Sequence, residues 1–320
     1  MLPSPADVIS AAYRLRGIAE RTPLLRSPYL SDAAGLDVYL KCENLQRTGS
    51  FKIRGAYTAL ASLPVAVRAR GVVASSAGNH GLGLALSAQH LGVRARVFVP
   101  ANAPTVKRDG ILRFGAEVDQ TQPDYDAAHA AALAYAGQHD MTFVNPCAGV
   151  PLLAGQGTVA LEILEELPAL RTVVVPVGGG GLVGGVGAFL RAVAPDVRII
   201  GAQTENTNAM AASLTAGHRV DIDLHPTIAD GLAGQVDDEG FAIGQQTIDQ
   251  MRVVSESQAA EAIAWAAREH ELRVEGSGAV GIAALLASRR SEFVGPIAVV
   301  ISGGNIDDFR WRALSGASFD

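Results

Sequence analysis

The sequence predicts an α/β protein whose sheets are mostly parallel and covered by helices. Short apolar runs alternate with longer amphipathic runs along most of the 320 residues, a pattern typical of β-α-β units. Apolar residues make up 48% of the chain and charged residues 18%, which is enough to fill a large core. No polar linker divides the chain, so we expect any second domain to be inserted in the first.

The predicted elements follow from hydrophobic periodicity, taken from the N-terminus. A helix is expected over residues 5–18, and extended segments at 24–25 and 38–41. Further strands are predicted at 72–74, 95–99, 117–119, 142–144, 173–177, 198–201 and 298–301. The helices between them are predicted at 81–91, 105–114, 125–139, 152–166, 183–193 and 276–287. A capping box over Ser255-Glu256-Ser257-Gln258 indicates one more helix, running through Arg268.

Charge and cysteine content argue against several classes of protein. The net charge is −6 and no basic run occurs, so neither nucleic acid nor an anionic membrane is expected as a partner. Cys42 and Cys147 lie far apart in the sequence and do not have the spacing of metal ligands. So few cysteines are typical of proteins in a reducing cytoplasm. The N-terminal residues do not read as a signal peptide. The uncharged stretch 172–190 holds seven glycines and Pro176, which predicts a strand and a loop, not a membrane helix.

One lysine lies at a switch from polar to apolar sequence, in Gly49-Ser50-Phe51-Lys52-Ile53-Arg54-Gly55. Small neutral residues precede it, and a helix-like run follows. A desolvated lysine loses its proton readily, and the neutral amine is a nucleophile that forms Schiff bases. The alternative is an ordinary solvated surface charge. The rest of the chain has to decide between the two.

Two motifs follow predicted strands and precede predicted helices. In parallel sheets, ligands bind at such positions to the free backbone N–H groups of the helix N-termini. Ser75-Ser76-Ala77-Gly78-Asn79-His80-Gly81 offers hydroxyls and an amide suited to a carboxylate, or an ordinary helix cap in which His80 is structural. Val177-Gly178-Gly179-Gly180-Gly181-Leu182 lets the backbone approach an anion, which predicts a cup for a phosphate monoester. A plain tight turn is the alternative for this glycine cup.

Gly179-x-Gly181-x-x-Gly184 also matches the dinucleotide fingerprint by letter, so an NAD-dependent oxidoreductase is a distant alternative. The acidic residue expected about twenty positions later would be Asp196 or Glu205. Neither ends a predicted strand cleanly, which argues against that alternative.

Two further motifs complete the set. Ser302-Gly303-Gly304-Asn305 follows a strand, and its serine can donate a neutral hydrogen bond to a ring nitrogen. Glu275 precedes a glycine-rich helix start, either as a buried acid at the site or as a charge that stabilises the helix N-terminus. One cofactor, pyridoxal 5′-phosphate, accounts for all four features: the amine, the phosphate cup, the amide loop and the neutral hydroxyl.

The ordered motifs from about Thr22 to Asp307 resemble the threonine/serine dehydratase family, pyridoxal phosphate enzymes of the tryptophan-synthase-β fold type. The resemblance implies two open, mostly parallel twisted sheets with the cofactor in the cleft between them. It implies a large domain formed by residues 1–49 and 146–320, and a smaller inserted domain at 50–145. Lys52 would hold the cofactor as a Schiff base, and Asn79 would bond its phenolic oxygen.

The resemblance also assigns the remaining site residues. Ser302 would face the pyridine nitrogen. Other cofactor contacts would come from Phe51, Gly178, Gly179, Gly180, Gly181, Leu182 and Glu275, of which the glycines take the phosphate. The loop around the substrate carboxylate would consist of Ser76, Ala77, Asn79 and His80.

The neutral ring partner Ser302 favours expulsion of a β-leaving group over transamination. We therefore expect a cytoplasmic dehydratase that converts a β-hydroxy amino acid, L-threonine or L-serine first, to a 2-oxo acid and ammonia. The alternatives are threo-3-hydroxyaspartate or phenylserine dehydratase and serine racemase. Racemases of this kind carry a serine where Ala77 lies here, and cysteine synthases usually carry a threonine in place of His80.

A divalent metal is not expected. Metal-activated relatives place carboxylates at positions that correspond to Gln203 and Ala209 here, although a potassium-like ion held by carbonyls is left open. The family resemblance also leads us to expect a homodimer.

Overall fold

The structure, a computed structural model, describes residues 1–76, 78–101, 103 and 105–316. Strands β1 to β10 are, in order, Leu24–Arg26, Val38–Cys42, Val72–Ser75, Ala95–Pro100, Glu117–Gln122, Thr142–Phe143, Thr172–Pro176, Arg198–Thr204, Gln250–Val254 and Ile297–Ile301. Helices α1 to α14 are Pro5–Arg14, Pro28–Ala34, Lys52–Ser62, Val65–Arg68, Asn79–Leu91, Thr105–Arg113, Tyr125–Gln138, Val150–Glu166, Gly181–Val193, Ala209–Ala216, Asp238–Thr247, Glu256–His270, Gly276–Leu286 and Asp308–Ser315.

The strands form two sheets. The larger has the order β1-β2-β10-β7-β8-β9, in which only β1 runs antiparallel to its neighbour. The smaller has the order β5-β4-β3-β6 and is parallel throughout. The predicted class, two mostly parallel sheets covered by helices, is confirmed.

Side chains of the central strands point alternately to the two faces of each sheet, and both faces carry a hydrophobic core. Val174 of β7 packs into one cluster, whereas its neighbours Val173 and Val175 pack into another. In the smaller sheet Val72 and Val73 divide in the same way. Because successive side chains of a strand point to opposite faces, such buried apolar runs require cover on both sides.

The predicted strands and the Ser255 capping box are all observed. The Ser255 hydroxyl accepts from the Gln258 N–H, and the Gln258 side chain accepts in return. The first helix, however, ends at Arg14 instead of residue 18, because Gly17 takes a left-handed φ of +74°. Edge strand β9 and helices α2, α4, α10, α11 and α14 were not predicted.

The smaller sheet lies wholly within residues 72–143, inside the segment predicted as the inserted domain; the domain boundaries themselves remain a prediction. The stretch 172–190 forms β7, a loop and most of α9, as its glycines and proline indicated. Among the helices of the described residues, none has the length and apolarity needed to cross a bilayer.

Helices α8 and α9 pack so closely that their contact requires glycine. A Cβ added to Gly185 would lie 2.2 Å from the Leu153 carbonyl oxygen and 2.6 Å from the Gly157 nitrogen. Both are backbone atoms of α8 and cannot rotate away. The long helix α8 is thereby held against α9, whose N-terminus forms part of the predicted phosphate cup.

We expect Gly185→Ala to lower the free energy of unfolding by about 2 kcal/mol or more, because overpacked cores lose ~1–3 kcal/mol. Gly137 on α7 is the matched control, since a Cβ there meets nothing within 4 Å. Gly137→Ala should raise stability by ~0.5–1 kcal/mol through helix propensity. Urea unfolding measures both; a Gly185 variant as stable as the control would contradict the packing described.

Candidate active site

The segment around Lys52 and the segment around Ser302 are joined by hydrogen bonds between their backbones. Ser50 and Gly303 form an isolated antiparallel bridge. The Phe51 N–H donates to the Ser302 carbonyl at 3.1 Å, and the Gly304 N–H donates to the Gly49 carbonyl at 2.9 Å. Since Ser302 directly follows β10, the pairing fixes the start of α3 beside the carboxyl end of that strand.

Lys52 is the first residue of α3 and is half-buried. Its Nζ donates to the Pro146 carbonyl at 2.9 Å and lies 5.2 Å from the centre of the Phe51 ring. The amine therefore points toward the segment that follows β6. This geometry is that of a held side chain and not of a freely solvated surface lysine.

Beneath Lys52 lies a buried cluster of four charges that the sequence analysis missed. Arg54 contacts Glu43 at 2.8 Å and Glu162 at 2.6 Å, and Lys41 contacts Glu162 at 2.7 Å. Burial opposes ionisation of Glu43, but the charge and hydrogen bonds of Arg54 hold its pKa below the ordinary value. Two cations and two anions balance, so the cluster ties the first turn of α3 to β2 and α8.

The glycine cup joins β7 to α9. Gly180 takes a left-handed φ of +92° and begins α9 without a side-chain cap. A Cβ on Gly179 would lie 3.0 Å from Cys147 Sγ, and one on Gly181 would lie 2.9 Å from Cys147 Cα. Only glycine fits this loop, and the first N–H groups of α9 are presented for an anion.

Three polar side chains link the predicted amide loop to the loop after β10 and to the start of α13. Asn79 Nδ2 donates to Glu275 Oε1 at 2.7 Å, and Asn305 Nδ2 donates to Asn79 Oδ1 at 2.7 Å. Glu275 is buried and occupies the N-cap position of α13, where its side chain makes no capping hydrogen bond. The orientation of the Asn79 amide is thus fixed from both ends. Asn305 was not assigned a role from the sequence, although it lies in a motif that was singled out.

His80 is buried against the site and neutral. Its Nε2 lies 3.1 Å from the Val144 carbonyl, an acceptor, so this nitrogen carries the proton. Burial, reinforced by the charge of Lys52, lowers its pKa to about 3. Nδ1 meets no partner among the described residues. Ser76 Oγ accepts the Gly78 N–H at 3.2 Å, whereas Ala77 lies outside the described residues.

The remaining donor is Ser302, buried directly after β10. Its hydroxyl reaches the Ser277 carbonyl at the long distance of 3.4 Å, so it is weakly held. The site thus brings together an amine, a cup for an anion, an oriented amide and a neutral hydroxyl. This set of donors fits the aldehyde, phosphate, phenolic oxygen and ring nitrogen of pyridoxal phosphate.

Comparison with known families agrees with that fit. Residues 15–303 match the family described as pyridoxal-phosphate dependent enzymes. The chain belongs to the pyridoxal-phosphate-dependent enzymes. The family match spans both sheets and reaches from before the Lys52 segment to Gly303, within the last of the motifs.

Individual members of this enzyme family resemble the chain over most of its length. It is 44% identical to an L-threonine ammonia-lyase of Thermotoga maritima, over 94% of this chain and 75% of that protein. It is 37% identical to an L-threo-3-hydroxyaspartate ammonia-lyase of Pseudomonas, over 98% of each. The structure of maize serine racemase superimposes with a TM-score of 0.93 at 29% identity, covering 99% of this chain and 98% of that one.

The position where metal-activated relatives were expected to hold a carboxylate is occupied by an amide with backbone partners. Gln203 Nε2 donates to the Thr207 carbonyl at 2.6 Å, and its Oε1 accepts the Ala211 N–H at 3.0 Å. In the described part of the enzyme, no group of three or more His, Cys, Asp or Glu residues is arranged to hold a metal.

Burial of neutral His80 makes the enzyme's stability depend on pH. Below pH 6.5 the unfolded chain binds a proton at this imidazole, whereas the folded chain binds it only near pH 3. The free energy of unfolding therefore decreases by up to ~1.4 kcal/mol for each unit by which the pH is lowered. Between pH 7 and 5 we expect His80→Gln to reduce this loss by about 2 kcal/mol.

Urea unfolding of the cofactor-loaded enzyme at pH 7, 6 and 5 measures the effect. His90→Gln, an exposed histidine on the same helix, should leave the pH dependence unchanged. A His80 variant with the same slope as the wild type would mean that the ring is not buried in its neutral form.

Proposed function

We propose that this enzyme is an ammonia-lyase that dehydrates a β-hydroxy amino acid, with L-threonine and L-serine as the preferred substrates. The observation that carries the proposal is the buried Ser302 hydroxyl, a neutral group where the cofactor ring would end, paired through the backbone with the Lys52 segment. A neutral ring partner favours β-elimination over transamination. The 44% identity to an L-threonine ammonia-lyase supports the same reaction.

When bound, pyridoxal phosphate supplies an aldehyde that condenses with amines and a ring system that withdraws electrons from Cα. Lys52 would hold it, and the glycine cup at residues 178–181 would bind its phosphate. Asn79, oriented by Glu275 and Asn305, would bond its phenolic oxygen. These residue roles rest on the geometry above and on the family resemblance.

The protein's own residues would then act on the substrate. The loop containing Ser76 and the N-terminus of α5 would bind the substrate carboxylate through backbone N–H groups. The freed Lys52 amine would remove the Cα proton, held within reach by the Pro146 carbonyl that it now contacts. The β-hydroxyl would leave as water, which takes up in the overall balance the proton that Lys52 removed from Cα. The released enamine would then take up water to yield a 2-oxo acid and ammonia.

The neutral imidazole of His80 fits this scheme as a wall of the carboxylate loop. Burial lowers the pKa of this ring to about 3, so its Nδ1 is too weak a base to compete with Lys52 for the Cα proton.

Several neighbouring activities have to be distinguished. The Pseudomonas relative acts on threo-3-hydroxyaspartate by name, and phenylserine is a further β-hydroxy substrate. A racemase needs an acid and base on the face opposite the lysine. Related racemases carry a serine for this role where the present sequence has Ala77, which offers no hydroxyl. The proposal also includes the inserted domain at 50–145, a homodimer and a cytoplasmic location, all expected from the sequence.

Lys52→Ala is expected to abolish ammonia and keto-acid release from every substrate while the protein stays folded. The reason is that the variant loses both the cofactor's covalent holder and the base at Cα. An ammonia-release screen of the wild type over L-threonine, L-serine, threo-3-hydroxyaspartate and phenylserine measures the activity. Far-UV circular dichroism controls for folding. Retained turnover in the variant, or a colourless wild type that binds NAD, would contradict the proposal.

A further inference from the structure

The segment that follows β6 contacts His80, Lys52 and the glycine cup. The Val144 carbonyl accepts from His80 and the Pro146 carbonyl from Lys52. Asn145 Oδ1 accepts the N–H groups of Cys147 at 2.8 Å and Ala148 at 3.0 Å. That side-chain turn fixes the position of the Cys147 thiol, which lies against the glycine cup.

A second group of side chains, formed by Ser75 of β3 and by Tyr125 and His129 of α7, lies beside this segment. The Ser75 hydroxyl lies 2.8 Å from His129 Nδ1, and the ring of Tyr125 stacks on that of His129 at 6.1 Å and 19°. The Tyr125 hydroxyl also contacts the Ser75 hydroxyl, and it lies near Cys147 and Asp126. Since Ser75 immediately precedes the carboxylate loop, this group borders the space between that loop and the cup.

The hydroxyl of Tyr125 is held by a hydrogen bond, whereas part of its ring is exposed to solvent. The residue is 50% exposed although the phenol oxygen is held by Ser75. A residue of this kind presents an aromatic face and one neutral polar atom to its surroundings. None of the mechanistic steps above uses Tyr125 or Cys147.

We propose that Tyr125 and Cys147 form the wall of the pocket that faces the substrate's β-substituent, and that this wall selects small, uncharged β-hydroxy amino acids. The inference rests on the proposed function and deepens it. The methyl group of threonine would lie against the ring and the soft thiol. A second carboxylate would instead lose water next to the Tyr125 phenol, near which the carboxylate of Asp126 adds a like charge.

The test uses the cofactor-loaded enzyme and the ratio of kcat/KM for L-threo-3-hydroxyaspartate to that for L-threonine. We expect the wild-type ratio to be below about 0.01, since unpaired polar groups are rejected strongly. Tyr125→Arg should raise the ratio at least about tenfold, because a guanidinium in the wall would pair with the second carboxylate. Tyr13→Arg is the matched control, because Tyr13 is 61% exposed on α1, which contributes no residue to the site; its ratio should equal that of the wild type.

Tyr125→Ala provides a second measurement that adds no charge. Removal of the aromatic wall should raise the phenylserine-to-threonine ratio at least about fivefold and leave the hydroxyaspartate-to-threonine ratio near the wild-type value. This variant retains Ser75, His129 and Cys147, so it can be judged even if the arginine variant fails to fold.

The outcomes separate the two levels of the proposal. A wild type that uses hydroxyaspartate as well as threonine, or Tyr125 variants whose ratios stay unchanged while their cofactor spectrum is normal, would overturn the wall and leave the lyase activity standing. A wild type that is inactive on every β-hydroxy amino acid would overturn the proposed function, and the wall with it.

Discussion

The site depends on the backbone pairing between residues 49–51 and 302–304. β10 lies between β2 and β7 in the larger sheet, so three loops leave adjacent parallel strands at the same edge. The pairing converts that neighbourhood into a fixed geometry, because it sets the start of α3, and with it Lys52, against the loop that carries Ser302. The glycine cup follows the third strand. The order of the strands in the sheet thus places three groups next to one another: the amine, the ring partner and the phosphate site.

The buried charges below Lys52 secure this arrangement. Arg54 is almost wholly buried and is held by Glu43 and Glu162, which come from the loop after β2 and from α8. A buried ion pair is costly to desolvate and gives little net stability, but removal of one partner leaves an uncompensated charge. Such a cluster fixes the direction of the first turn of α3 more than it stabilises the fold. Close packing of α8 on α9 connects the same turn to the phosphate cup.

Much of the site could be predicted because its signals are local. A glycine run after an apolar strand, or a lysine before a helical run, is visible within ten residues of sequence. The charge cluster could not be predicted in this way, since Arg54 and Glu162 are 108 residues apart and each alone resembles a surface charge. Edge strand β9 was missed because its residues are mostly half-exposed, which leaves little hydrophobic signal. Tyr125 was seen only as part of a predicted helix, because its contacts with Ser75 and Cys147 are tertiary.

The central claim is that the cofactor is held by Lys52. The chain has only three lysines, Lys41, Lys52 and Lys107, and Lys41 is buried with its amine held by Glu162 and the Thr22 carbonyl. Borohydride reduction of the yellow holoenzyme, followed by proteolysis and peptide mass mapping, identifies the lysine that carries the cofactor. The account predicts the added pyridoxyl mass on Lys52 alone. The same mass on Lys41 or Lys107, or on no lysine, would contradict it.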